Sequence, residues 1–114
     1  MRDLVLGLGL IFIGQALIWF QTNGQFVWDS FKRNPLGLAI VFGTIISYLL
    51  IKGTFFTVRY FDGLLWPGRF IAFGLGIISF TALTWYYLGE GFTTKTVISL
   101  LLAVLLVIIQ ILWK

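Results

Sequence analysis

Three polar side chains stand within or at the edge of long apolar runs: Gln15, Tyr48 and Arg69. Each could meet a solute, and each also has a purely structural reading. A bare amide deep in an apolar helix is costly unless hydrogen-bonded, so Gln15 either bonds to a neighbouring helix or contacts a ligand in a cavity. Gln110 poses the same choice. The Tyr48 hydroxyl either reaches an interface or lines a cavity. Arg69 opens a stretch in which the twenty residues before Glu90 carry no charge. Its guanidinium either snorkels to headgroups or faces a cavity, where it would favour an anionic or carboxylate-bearing solute. Asp62, seven residues before Arg69, is placed to pair with Arg59 or to stay solvated.

Other chemistries lack their residues. With no His, no Cys and only four carboxylates, the chain has no thiol nucleophile, and zinc or haem is not expected. "GEGFTTKT" is not a phosphate loop, because Thr94 stands where the glycine before Lys95 is required and no strand precedes it. "GLGLIFIG" and "FGLG" lack the strand–turn–helix context of a dinucleotide site; inside helices their glycines permit close packing. No motif points to enzymatic chemistry or to a cofactor.

The elements that must position these residues are membrane helices. Of 114 residues, 60% are hydrophobic and 11% charged, and mean hydropathy is +1.02. A soluble domain of this size cannot hide so much apolar surface, so the solvent must be lipid. The net charge of +4 comes from scattered cations flanking apolar runs, which anchor to headgroups and do not form a nucleic-acid patch. Four runs stand out: Leu4–Phe20, Leu36–Ile51, Phe70–Leu88 and Val97–Trp113. As helices they span about 24–29 Å, slightly less than a ~30 Å hydrocarbon core, and flanking aromatics complete the crossing. Trp19, Phe26, Trp28, Phe31, Trp85, Tyr86, Tyr87 and Phe92 form a belt on one side. Phe55, Phe56, Tyr60, Phe61, Trp66 and Trp113 form the other. The expected fold is a single all-α domain, an integral membrane four-helix transmembrane bundle with helices at about 4–20, 36–53, 68–88 and 96–113.

The connections fit that plan. "TNG" after the first span is a turn signal in which Asn or Gly accepts positive φ cheaply. "QFVWDSFKRN" mixes aromatics with charges as an interfacial segment does. Pro35 opens the second span, where its missing N–H costs nothing, and that helix is open to extension through "KGTFFTV". Pro67 and Gly68 open the third, and Thr93 or Thr94 caps the fourth. The first run is longer than a signal-peptide core and no small-x-small cleavage pattern follows, so it is expected to remain as a helix. Five cations on the terminal side against three on the other favour cytoplasmic termini only weakly, a bias that also permits insertion in both orientations. Small residues share helix faces: Gly7, Ile11, Gly14, Gln15 and Ile18; Gly43, Thr44, Ser47 and Tyr48; Gly74, Ile77, Thr81 and Thr84.

"IAFGLGIISFTALTWYYLGE" (Ile71–Glu90) resembles the third helix and following loop of the small multidrug resistance transporters, with Gly74, Gly76, Trp85 and Gly89 at that family's glycine and tryptophan positions. "GTIISY" (Gly43–Tyr48) is similar to the family's G-T-x-x-x-Y, whose tyrosine lines the substrate cavity. "LGEGFTTKTVISLLLAVLLVII" is similar to the last hairpin of the wider drug/metabolite transporter superfamily. The resemblance covers residues 36–113. It implies a dimer, drawn as an antiparallel pair, that moves a small solute by alternating access. Substrate contacts then fall on Gln15, Tyr48, Arg69, Gly74 and Trp85, with Gly43 for packing and Gly74 and Gly76 for flexing of the third helix. The family's helix-one glutamate, which alternately holds protons and cationic substrate, has no counterpart here. Gln15 is the only polar residue of that span, and an amide can neither titrate nor pair with a cation. The family's aromatic residue before G-x-G is Ala72 here. The expectation is therefore a solute transporter of the plasma or inner membrane, without the family's usual carboxylate. The rival is a non-transporting accessory subunit or the inactive half of a heterodimer.

Overall fold

Lipid offers the backbone no hydrogen-bond partner, so apolar sequence entering it must satisfy its peptide groups internally as helix. The computed structural model describes residues 1–113. Its long helices are α1 (Arg2–Asn23), α3 (Pro35–Tyr60), α4 (Trp66–Leu88) and α5 (Thr94–Leu112), with a 3-10 turn at Gly24–Phe26 leading to the short α2 (Asp29–Arg33). By their residue counts the long helices measure about 33, 39, 35 and 28 Å. All four are long and apolar enough to cross a membrane. The fold is an all-α four-helix bundle of a multi-pass membrane protein, with no strand among the described residues.

Local chemistry sets the helix ends. Pro35 occupies the first turn of α3 and Pro67 that of α4. Helix α3 continues through "KGTFFTVRY" to Tyr60, and the chain then reverses on Asp62 and Gly63 at φ 57° and 89°. Gly89, at φ 68°, ends α4 by donating its N–H to the Trp85 carbonyl. Thr93 caps α5, its hydroxyl accepting from the Thr96 N–H at 3.2 Å. The "TNG" turn differs from expectation: Asn23 and Gly24 both keep negative φ, and α1 passes directly into the 3-10 turn. Glycine is needed there for space, because a Cβ on Gly24 would overlap the Phe31 ring.

The helices form an open row in the order α3–α1–α4–α5, in which α1 packs against both α3 and α4, and α5 packs chiefly on α4. The row measures 45 × 36 × 18 Å, flat compared with a closed ring of four helices. Its tightest contact is between α1 and α3. A Cβ on Gly7 would lie 2.5 Å from Thr57 Oγ1, and one on Gly53 would lie 2.7 Å from Ile11 Cγ1 and 3.3 Å from the Gly7 carbonyl. Small residues bring the two backbones together, and the dispersion gained at close range holds them in lipid, where apolar burial supplies little drive. Thr57, fully buried at this crossing, keeps its hydroxyl satisfied by donating to the Gly53 carbonyl at 2.7 Å.

Two further contacts fix the ends. Trp19 is no belt residue: it is 2% exposed, its indole N–H donates to Thr84 Oγ1 at 2.8 Å, and its ring stacks on Tyr87. At the opposite end Arg59 Nε lies 3.2 Å from Asp3 Oδ2, so the partner of Arg59 is at the start of α1 and not Asp62 in the adjacent turn. The turn takes Asp62 into left-handed backbone, while antiparallel packing sets the first turn of α1 beside the last turn of α3.

The crossing yields a controlled prediction. Gly7→Ala forces a methyl against Thr57 and is expected to destabilise the fold by roughly 1–3 kcal/mol. Gly9→Ala, which meets nothing within 4 Å, should be neutral or slightly stabilising. Reversible unfolding in mixed micelles measures both; equal stability of the two variants would remove the crossing from its central place.

Candidate functional site

One residue step separates what α1 gives to each neighbour. Gly7, Ile11 and Gly14 meet α3. A single residue step rotates about 100° around the axis, so Gln15 and Trp19 turn toward α4. Trp19 closes that side by its bond to Thr84, but Gln15 does not close it. Its Oε1 lies against the backbone of α4, where a Cβ on Gly76 would come within 2.7 Å. Among the described residues, the Gln15 amide makes no side-chain hydrogen bond.

Around this amide the three helices leave a groove. One part, about 620 Å³, is bounded by Ile11 and Gln15 of α1, Leu50 and Thr54 of α3, and Arg69 and Ala72 of α4. Leu65, Trp66 and Gly68 also line it. A second part, about 340 Å³, shares Gln15, Arg69 and Ala72 and runs along α1 and α4 toward Thr22 and Phe80. Arg69, Ala72 and Gly76 recur at three- and four-residue spacing and so line one face of α4. Ala72 borders both parts, and a larger side chain there would narrow the passage between them. The volume suits a drug-sized molecule, and mostly apolar walls with a few convergent polar groups are the usual composition of a small-molecule site.

Not every residue singled out in the sequence comes to this groove. Gln15 and Arg69 do, and Gly76 supports the amide. Gly74 lies two residues from Gly76, about 200° away around the helix, and meets α5: a Cβ there would overlap Val107 and come 3.0 Å from the Ala103 carbonyl. Both glycines thus occupy close contacts in a continuous helix. Tyr48 stands two residues from Leu50 and therefore faces the other way. It is 62% exposed and shares a shallow outer surface of α3 with Gly43, Thr44 and Ser47. Gly43 also lies near α1, where its Cβ would be 3.6 Å from Gln21 Nε2. Trp85 is at the far end of α4, stacked on Phe92 beside a cleft of about 130 Å³.

Sequence reasoning missed Thr54, Ala72 as a lining residue, and the Gly53–Thr57 contact. The small-x-x-x-small spacing of Gly53 and Thr57 was available as a packing signal, and Thr54 follows Leu50 by one turn. No protein-family model, curated protein or solved structure matches the chain.

An open groove holding an unbonded amide and a guanidinium must admit water, because dry burial of either is costly. The natural chain has no cysteine, so single substitutions report on this directly. Thr54→Cys and Ala72→Cys in liposomes should react with a membrane-impermeant thiosulfonate, whereas Leu105→Cys, on the exposed apolar side of α5, should be protected. Equal protection at all three sites would mean that the groove is filled by lipid.

Proposed function

We propose that this protein is a small-solute transporter of the plan that its second and third spans resemble, that of the small multidrug resistance transporters. It works in a plasma or inner membrane as a dimer with Gln15 in the solute path. The observation that carries the reading is the groove itself: about 620 Å³ of apolar-walled space with Gln15, Thr54 and Arg69 converging on it. One chain leaves this groove open on the side of a flat row of helices, and a second copy would supply the missing wall. The weak charge asymmetry between the two loop sides permits an antiparallel pair. Alternating access then requires the groove to open to one side at a time, with α4 moving against α1 along the Gln15–Gly76 contact.

The family's proton-and-cation exchange does not carry over, because among the described residues no carboxylate lines the groove. That same observation favours the rival reading, a non-transporting subunit or the silent half of a heterodimer. Flux decides between them. Purified protein in liposomes should accelerate uptake of at least one member of a panel of neutral, cationic and anionic aromatic solutes over protein-free liposomes, with saturation. Gln15→Ala should lower that rate roughly five- to tenfold, the worth of one lost hydrogen bond. Uptake of every member at the protein-free rate would favour the accessory role.

A further inference from the structure

The groove carries one formal charge, and among the described residues nothing neutralises it. Arg69 borders both of its parts. Among the described residues it makes no ion pair and no side-chain hydrogen bond. Of the four carboxylates, Asp3 is held by Arg59, Asp29 lies in α2 and Asp62 in the α3–α4 turn. Glu90 borders the separate small cleft beside Trp85. Arg69 is exposed in the first turn of α4, where its guanidinium stays hydrated until it is paired, so an incoming anion gains a charge-assisted bond where an incoming cation meets repulsion.

The other walls define the rest of the ligand. Ile11, Leu50, Leu65 and Trp66 offer apolar surface, which calls for an apolar body, while the Gln15 amide and the Thr54 hydroxyl add hydrogen-bonding groups without charge. Neither Gln15 nor Thr54 spends its side chain on a bond within the described residues. We propose that the solute of this groove is an amphipathic monoanion, a carboxylate carried on an aryl or alkyl body, with Arg69 taking the carboxylate as a two-oxygen acceptor and the apolar wall taking the body. This deepens the transporter reading of the same groove and rests on it, and it reverses the charge preference that a helix-one glutamate would impose.

Three probes share a phenylalkyl body and differ in head group, which is anionic, neutral or cationic: 4-phenylbutyrate, 4-phenylbutyramide and 4-phenylbutylamine. Calorimetric titration of the protein in phosphatidylcholine nanodiscs, corrected with empty discs, should show the acid binding at least about tenfold more tightly than the amide, as expected when a bond gains a charged partner. Arg69→Gln should abolish that preference, and Arg69→Lys should keep part of it, since lysine retains the charge without the fork geometry. Equal acid binding by wild type and Arg69→Gln overturns the proposal, as does tighter binding of the amine or saturable binding of none of the three. Adding phosphatidylglycerol to the discs separates the sources of the anion. Undiminished acid binding supports a free solute, whereas its displacement would assign Arg69 to lipid headgroups and overturn the solute assignment. Acid binding without flux would defeat the transporter reading and leave this one standing. Gln15-dependent flux of the amide or amine, with no preference for the acid, would do the reverse.

Discussion

The close crossing of α1 and α3 at Gly7 and Gly53 is the constraint from which the rest of the arrangement follows. Backbones that approach so nearly fix the rotation of α1 about its axis, because only the Gly7–Ile11–Gly14 face can enter the contact. That rotation points Gln15 and Trp19 at α4. Trp19 then pins the far end through Thr84 and the aromatic cluster, and the Asp3–Arg59 pair ties the near end. Between the two pins α4 sets the small Ala72 and Gly76 opposite Gln15, beside the larger Arg69 and Phe73. The groove therefore lies between two pinned ends, where Ala72 and Gly76 leave room beside Gln15.

Much of the fold was legible because lipid restricts the alternatives. Composition required membrane spans, the four apolar runs located them, and proline, glycine and threonine at their ends marked where each begins or stops. The rotation of each helix was harder to read. Around a membrane helix the apolar residues face both lipid and protein, so periodicity gives little indication of which face is which. Tyr48 and Gly43 shared a face as the spacing required, yet that face turned outward, while the groove took the opposite side through Leu50 and Thr54. Gly74 and Gly76 looked like a pair, and a two-residue step sends them to different neighbours. Asp62 was near Arg59 in sequence, but antiparallel packing brought Asp3 closer.

The candidate site was visible in part for a simple reason: polar groups are rare in these spans, so each is conspicuous. Gln15 and Arg69 were noticed on that ground, and the structure places both on one groove. Thr54 was not noticed, although the helix was open to extension through "KGTFFTV", because a threonine just beyond an apolar run stands out less than an amide or a cation; α3 continues to Tyr60. Ala72 drew attention only as an absent aromatic; its small size opens space between the two parts of the groove. The Gln15 amide does not titrate, and among the described residues Arg69 is the charged side chain that borders the groove.

The central claim is that this open row of helices becomes a solute path only when a second copy closes it. Native mass spectrometry of the particle extracted from its own membrane in mild detergent tests that claim most directly. The account predicts twice the mass of one chain, with two copies of this sequence and no other protein. A fixed assembly with unrelated chains would contradict it and make the protein a subunit of something larger.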